Sequence, residues 1–330
     1  MSQIGWGIMA AGWIAGQFAD DLRIDGHKLA AVGSRDAAKA RGFAAKHGAL
    51  RAHGSYKEVA TDPEVDVVYV ATPHHLHLEC ALMAIEAGKH VLVEKPLTIN
   101  ASQAQTMAEA ATEAGVICME AMWTRFLPTM TRLRALLDQG LIGETVALIA
   151  DHTQLLPTDP AHRINDPALG GGALLDLGVY PISFAYDLFG APETIEAPFG
   201  ALGPTRVDQQ VSAVFSYASG ARAYWVAASN LGGANRAQVI GSAGRVEFDP
   251  VWYTATTMKA YGADGKVLDS FDGKTQGRGM QFQAREIERL IEKGHLVSRI
   301  MPLWQSVEIM ETMDQLRAAI GVVYPADAAE

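Results

Sequence analysis

Short apolar runs alternate with helix-forming stretches through the first third of this chain, and that alternation constrains the fold more than any other feature. The runs lie at residues 4–9, 28–34, 65–71, 90–94 and 116–120. The stretches between them, at 13–22, 36–47, 78–87 and 102–114, read as helices, two of them closed by Gly48 and Gly88. The run VDVVYVA at 65–71 is apolar almost throughout, as a strand buried on both faces requires. Strands joined by short helical crossovers predict a parallel sheet covered by helices.

After Trp123 the rhythm changes. Helical stretches at 128–139 and 173–189 flank a strand at 145–152. Strand-like segments then follow one another at 210–217, 222–229, 237–240, 245–248 and 254–261, separated by turns such as Ser219-Gly220, Ala243-Gly244 and Asp264-Gly265. Tight turns between consecutive strands predict an antiparallel sheet. Helices at 280–293 and 302–320 end the chain. With 330 residues, 49% of them hydrophobic, the sequence can fill two cores. The expected division is 1–122 and 123–330: α/β throughout, a parallel sheet first, then an α/β domain with an open, mainly antiparallel sheet.

Charge narrows the partners. A formal net charge of -10 disfavours nucleic acid and anionic membranes. No run of about 18 uncharged apolar residues predicts a membrane span, and the N-terminus lacks a basic leader. Cys80 and Cys118 lie in apolar segments without metal-ligand spacing, which reads as buried thiols in a reducing compartment. The expected location is the cytoplasm.

The first strand runs into Gly7, Ala10, Ala11, Gly12, Trp13 and Ile14, where a turn opens a helix. A dinucleotide-binding turn belongs there, because the backbone must come close to a diphosphate and aim helix N-terminal N–H groups at it. The usual G-x-G-x-x-G/A pattern is met at Gly12 and Ala15, with Ala10 in place of the first glycine. Ser34 and Arg35 end the second strand, where an acidic residue would bind the ribose hydroxyl of NAD. A guanidinium there suits a 2′-phosphate, so the expected cofactor is NADP. Ala71, Thr72 and Pro73 end the third strand, followed by His74, His75 and His77. Three histidines in four positions suggest a metal, but no carboxylate or cysteine joins them in that loop. Contact with the cofactor, by His75 and His77, is the stronger reading, the alternative for His77 being that it only opens the next helix.

Two further segments carry chemistry: Glu94-Lys95-Pro96 after the fourth strand, and the run Gly170-Gly171-Gly172-Ala173-Leu174-Leu175-Asp176-Leu177-Gly178-Val179-Tyr180. Together with the glycine turn and the Ala71-Thr72-Pro73 segment, in this order over essentially the whole chain, they resemble the glucose–fructose oxidoreductase / inositol dehydrogenase (Gfo/Idh/MocA) family. The stretch Glu120-Ala121-Met122-Trp123-Thr124-Arg125-Phe126 is similar to the branch that holds dimeric dihydrodiol dehydrogenase and NADP-dependent D-xylose dehydrogenase. In that branch a small residue tends to replace the first fingerprint glycine, as Ala10 does here.

The resemblance implies a Rossmann domain followed by an α/β domain whose open sheet pairs with a second copy, making a homodimer. It implies that Lys95 and Tyr180 are the catalytic pair. Oxidising a hydroxyl requires a base for its proton while hydride leaves carbon. Tyrosine is a poor base at its ordinary pKa of about 10, and a nearby ammonium favours the phenolate. Asp176 either orients the substrate or interacts with Lys95. Four positions separate it from Tyr180, which puts both on one helix face. Glu94, Trp123 and Arg125 are further expected cofactor contacts.

Trp123, His152, Gln154, Arg163 and Tyr180 are the expected substrate contacts, His152 and Gln154 sharing one strand face. The implied reaction moves a hydride between NADP and a sugar, polyol or cyclic diol, of D-xylose or trans-dihydrodiol type. A redox-neutral enzyme with a tightly held cofactor, or a non-catalytic NADP-binding sensor, are the alternatives.

Overall fold

A computed structural model describes residues 3–328. In chain order its main elements are β1 (Gly5–Met9), α1 (Trp13–Ile24), β2 (Lys28–Gly33), α2 (Ala37–His47), β3 (Arg51–His53), α3 (Tyr56–Ala60), β4 (Val67–Val70), α4 (His77–Glu86), β5 (His90–Glu94), α5 (Ala101–Ala114), β6 (Cys118–Ala121), α6 (Pro128–Asp138), β7 (Thr145–Thr153), α7 (Val179–Phe189), β8 (Thr194–Leu202), β9 (Asp208–Ser216), β10 (Arg222–Ala228), β11 (Ala237–Gly241), β12 (Gly244–Phe248), β13 (Thr257–Gly262), β14 (Val267–Asp272), α8 (Gln281–Lys293) and α9 (Leu303–Ile320).

The chain forms two units. The first runs to Trp123 and takes back Gln276–Val307; the second holds Thr124–Thr275 and the chain from Glu308 onward. A single cut in the sequence therefore does not separate them. Side chains of α1 and α8 show what brings the returning segment to the first unit. Asp21 accepts backbone N–H bonds from Arg278 at 2.9 Å and Met280 at 2.8 Å, and the indole N–H of Trp6 donates to Glu288 at 2.8 Å.

In the first unit six parallel strands take the order β3-β2-β1-β4-β5-β6. Every residue of β1 and β4 is buried, as expected for strands covered on both faces. The helices start and stop where side chains instruct them. Asp36 caps α2 by accepting from the N–H groups of Ala38 and Lys39, and Gly48 ends it in the left-handed region. Asn100 and Gly115 do the same for α5. The short β3 is the polar edge strand Arg-Ala-His, and α3 is a single turn and a half opened by Ser55, whose hydroxyl accepts the Glu58 N–H.

The second unit carries an eight-stranded sheet in the order β14-β13-β12-β11-β7-β10-β9-β8. All neighbours are antiparallel except β7 and β10, which run parallel, so the sheet is mixed but mainly antiparallel. The apolar stretch Pro167–Phe189 is long enough to cross a membrane by composition, yet 89% of its most apolar window is buried inside the protein. It is a core helix. It does not begin as a regular α-helix: Leu174–Gly178 forms a π-helical turn that leads into α7. Such a turn breaks the usual ladder and is frequent at functional sites.

Candidate active site

In the first unit, Ala10 follows β1 with φ 95, in the left-handed region, and its N–H donates to the Gly33 carbonyl at 3.0 Å. This backbone is the one glycine supplies at the fingerprint's first position, and here alanine carries the strain. Gly12 caps α1 without any side-chain bond to the helix N-terminus, and a Cβ there would meet nothing within 4 Å. A turn with an uncapped helix start and room beside it fits a dinucleotide diphosphate. Ala11, Trp13 and Ile14 lie in this turn, with Trp13 67% exposed. Gly7 lies within β1, and a Cβ there would meet Val59 and Val65 at 2.8 Å, so it serves packing.

At the end of β2 Ser34 is buried and its hydroxyl accepts the Asp36 N–H at 3.2 Å. Arg35 is exposed. The acid beside it, Asp36, is occupied as the cap of α2. The charge available at this strand end is therefore the guanidinium.

At the end of β4, Ala71 and Thr72 are buried and Pro73 is exposed, with His75 half-buried in the turn before α4. His77 is fully buried. Its Nε2 lies 3.0 Å from the Thr72 carbonyl oxygen and its Nδ1 3.0 Å from that of Pro96. The ring is thus not free to contact a cofactor, contrary to expectation; it ties the loop after β4 to the loop that follows Lys95. Burial pushes its pKa down to about 4, so it is neutral. From the other side of the same loop, the carboxylate of buried Glu120 accepts the Leu97 N–H at 3.2 Å. Lys95 therefore stands at the carboxyl end of β5 on a backbone held by two buried side chains. Its neighbour Glu94 is buried and accepts a hydrogen bond from Tyr69. Burial raises the Glu94 pKa, against the opposing pull of Tyr69, Lys95 and Arg278. Trp123 closes the first unit, 1% exposed, with the Arg278 guanidinium 4.8 Å from its ring centroid.

In the second unit, Tyr180 and His152 are both buried and meet edge to face, centroids 4.7 Å apart. Tyr253 completes the cluster, its ring stacked on His152 at 3.7 Å. The Gln154 amide lies 2.9 Å from His152 Nε2 and donates to the Tyr253 hydroxyl at 3.3 Å. The side chains of His152, near the end of β7, and Gln154, just beyond it, thus lie together, and Tyr253 is the member the sequence did not reveal. Its backbone carbonyl accepts from the Thr124 hydroxyl at 2.8 Å. Trp252 next to it is a core residue, fully buried and stacked on Phe184 at 5.2 Å.

Asp176 lies on the π-helical turn and pairs with Arg163 at 3.2 Å. Arg163 thus meets, through Asp176, the run that leads to Tyr180. Arg125 is buried and donates to the Ser183 hydroxyl at 2.8 Å and the Ser183 carbonyl at 2.6 Å. That pairing anchors α7, the helix that carries Tyr180. Gly172, φ 119, allows the chain to turn into this helix: a Cβ there would lie 2.4 Å from Asp208 Oδ1. The Asp208 carboxylate accepts the Leu174 N–H at 2.6 Å. Its pKa is pushed up to about 6 by burial, against backbone hydrogen bonds that lower it. Among the described residues no group of three or more His, Cys, Asp or Glu side chains is arranged to hold a metal.

Residues 4–122 match the model of the GFO_IDH_MocA oxidoreductase family with an NAD-binding Rossmann fold, and 130–247 match the GFO/IDH/MocA C-terminal domain. The chain is 35% identical to trans-1,2-dihydrobenzene-1,2-diol dehydrogenase of Bos taurus, covering 98% of both chains. It is 36% identical to the Mus musculus enzyme of that name, again covering 98% of both. Among solved structures, aldose-aldose oxidoreductase from Caulobacter crescentus superposes with a TM-score of 0.86 at 26% identity, covering 96% of this chain and 97% of that one. A 3-ketoreductase from Actinomadura kijaniata in complex with NADP and TDP-benzene gives 0.83 at 26% identity, covering 97% and 98%.

Proposed function

This chain belongs to the Gfo/Idh/MocA oxidoreductase family, and from that premise we propose that it is an NADP-dependent dehydrogenase or reductase acting on a hydroxyl or carbonyl carbon of a sugar, polyol or cyclic diol. The observation that carries the reading is the placement of Lys95 at the carboxyl end of β5, on a loop held by His77 and Glu120. Ligands of open parallel sheets bind at those strand ends. When bound, the nicotinamide supplies the hydride acceptor or donor. The chain's part is the proton. Tyr180 exchanges it with the substrate oxygen, and the Lys95 ammonium donates to that oxygen and favours the phenolate. Asp176, fixed by Arg163, orients the substrate, with His152 and Gln154 offering polar contacts suited to hydroxyl groups.

NADP is preferred to NAD because Arg35 is exposed at the end of β2 while Asp36 is engaged in capping α2. A 2′-phosphate pairs with a guanidinium. The similar trans-dihydrodiol dehydrogenases support a cyclic diol, and the similar aldose-aldose oxidoreductase supports a sugar. That last resemblance also keeps a second reading, redox-neutral exchange between two sugars on a retained cofactor. A non-catalytic sensor has no use for Lys95, Asp176 and Tyr180 together. The buried free thiols Cys80 and Cys118 suit a reducing, cytoplasmic setting.

The outer face of the second sheet carries Ile149 and Tyr224, 41% and 44% exposed and paired across β7 and β10, with Val214 beside Tyr224 on β9. We assign this face to a second copy of the chain; a monomer in light scattering at micromolar concentration would rule that out.

The deciding experiment offers D-xylose, other aldoses and a trans-dihydrodiol with NADP or NAD and follows formation of the reduced cofactor. Net NADPH formation with one of these supports the dehydrogenase. Reduced-nicotinamide absorbance in the purified protein without net turnover supports the redox-neutral reading. Silence in both would sink the proposal.

A further inference from the structure

Arg278 belongs to the segment that returns to the first unit, and its surroundings are unusual for an arginine. Its guanidinium lies 4.8 Å from the ring centroid of buried Trp123 and 5.1 Å from that of exposed Trp13. Its backbone is fixed as well: the Asp21 carboxylate accepts the Arg278 N–H through both oxygens, at 2.9 and 3.1 Å, and the Met280 N–H at 2.8 Å. The preceding Gly277, φ 71, must be glycine, since a Cβ there would lie 2.0 Å from Asp21 Oδ1. Yet the charge this arrangement holds in place forms no ion pair among the described residues, and its Nε is buried without a hydrogen-bond partner. The charge also reaches Glu94, the neighbour of Lys95. Trp13 is the first residue of α1, whose open N-terminus faces the proposed diphosphate position.

We propose that Arg278 is a cofactor-positioning residue, its guanidinium gripped by Trp13 and Trp123 so that it pairs with the diphosphate of the dinucleotide. This rests on the reading that the first unit binds a nicotinamide dinucleotide. A planar guanidinium stacked between indoles loses little freedom on binding an anion, and its donors match phosphate oxygens. The diphosphate is common to NADP and NAD, so Arg278 contributes to affinity for both, whereas Arg35 sets the preference between them.

The test compares the parent protein with Arg278→Gln and Arg278→Lys. Dissociation constants for NADPH and NADH are measured by calorimetry at several salt concentrations, alongside thermal melting. Arg278→Gln is expected to weaken both cofactors on the order of ten- to a hundredfold. It should also flatten the salt dependence and leave the NADPH-to-NADH ratio unchanged, while Arg278→Lys recovers part of the affinity. A clasp that only packs would lower the melting temperature with the salt dependence intact, which overturns the proposal. So does cofactor binding in Arg278→Gln within about twofold of the parent, or an effect confined to the KM of the sugar or diol. A parent protein that binds no dinucleotide at all overturns the functional reading itself.

Discussion

His77 Nδ1 lies 3.0 Å from the carbonyl oxygen of Pro96, the residue directly after Lys95. The ring is neutral in the fold because burial has pushed its pKa from 6.5 down to about 4. The unfolded chain therefore binds a proton there first as pH falls. The stability His77 contributes is present above pH 6.5 and is lost progressively toward pH 4, on the order of 3 kcal/mol in all. Asp208 has the opposite sign. Its folded carboxyl, raised from 3.8 to about 6, holds its proton longer than the unfolded one, so its contribution is present below pH 3.8 and fades as pH rises to 6. Denaturant unfolding from pH 4 to 6 should separate them. His77→Gln is expected to make stability fall with rising pH relative to the parent, and Asp208→Asn to make it rise. Identical slopes in all three proteins would refute both assignments.

Lys95 and Tyr180 carry the proposed proton chemistry. Lys95→Ala and Tyr180→Phe should each lower kcat by about 10²- to 10⁴-fold with circular dichroism and melting unchanged. Near-normal turnover in both variants would remove this mechanism.

In the proposed reading Arg35 sets the preference for NADP. Arg35→Ala should weaken NADP binding about ten- to a hundredfold, the loss of one charge-assisted contact, while NAD binding changes little. Equal losses for the two cofactors would contradict a 2′-phosphate contact.

His27 lies between two carboxylates, 2.8 Å from Glu288 and 2.9 Å from Asp25. Burial alone would lower its pKa, but those partners outweigh it and the pKa is raised above 6.5. The stability this gives is complete below pH 6.5 and is lost as pH rises through the raised value. It joins α8 to the end of α1, so unfolding of the parent should become easier between pH 6.5 and 9, and His27→Gln should abolish most of that dependence. A parent whose stability is flat or rising over that interval would rule the clamp out.

What the sequence determined by itself is what local chemistry encodes. The run at 65–71 reads as a strand buried on two faces, Asp36 and Gly48 mark the ends of α2, and the turn from Ala10 to Gly12 announces a dinucleotide site because a backbone that approaches a diphosphate demands small residues. Lys95 and Tyr180 enter the proposed site through the pattern of residues around them in the sequence. Tertiary structure alone decided the rest. It returned Gln276–Val307 to the first unit, placed Tyr253 against His152, and set Arg278 between two indoles. It also turned His77 from an expected ligand contact into a support of the scaffold, and gave Arg125 the Ser183 hydroxyl as a partner. These contacts join residues far apart in the chain, so no periodicity or turn signal marks them. They exist only once burial has chosen which polar groups must find partners.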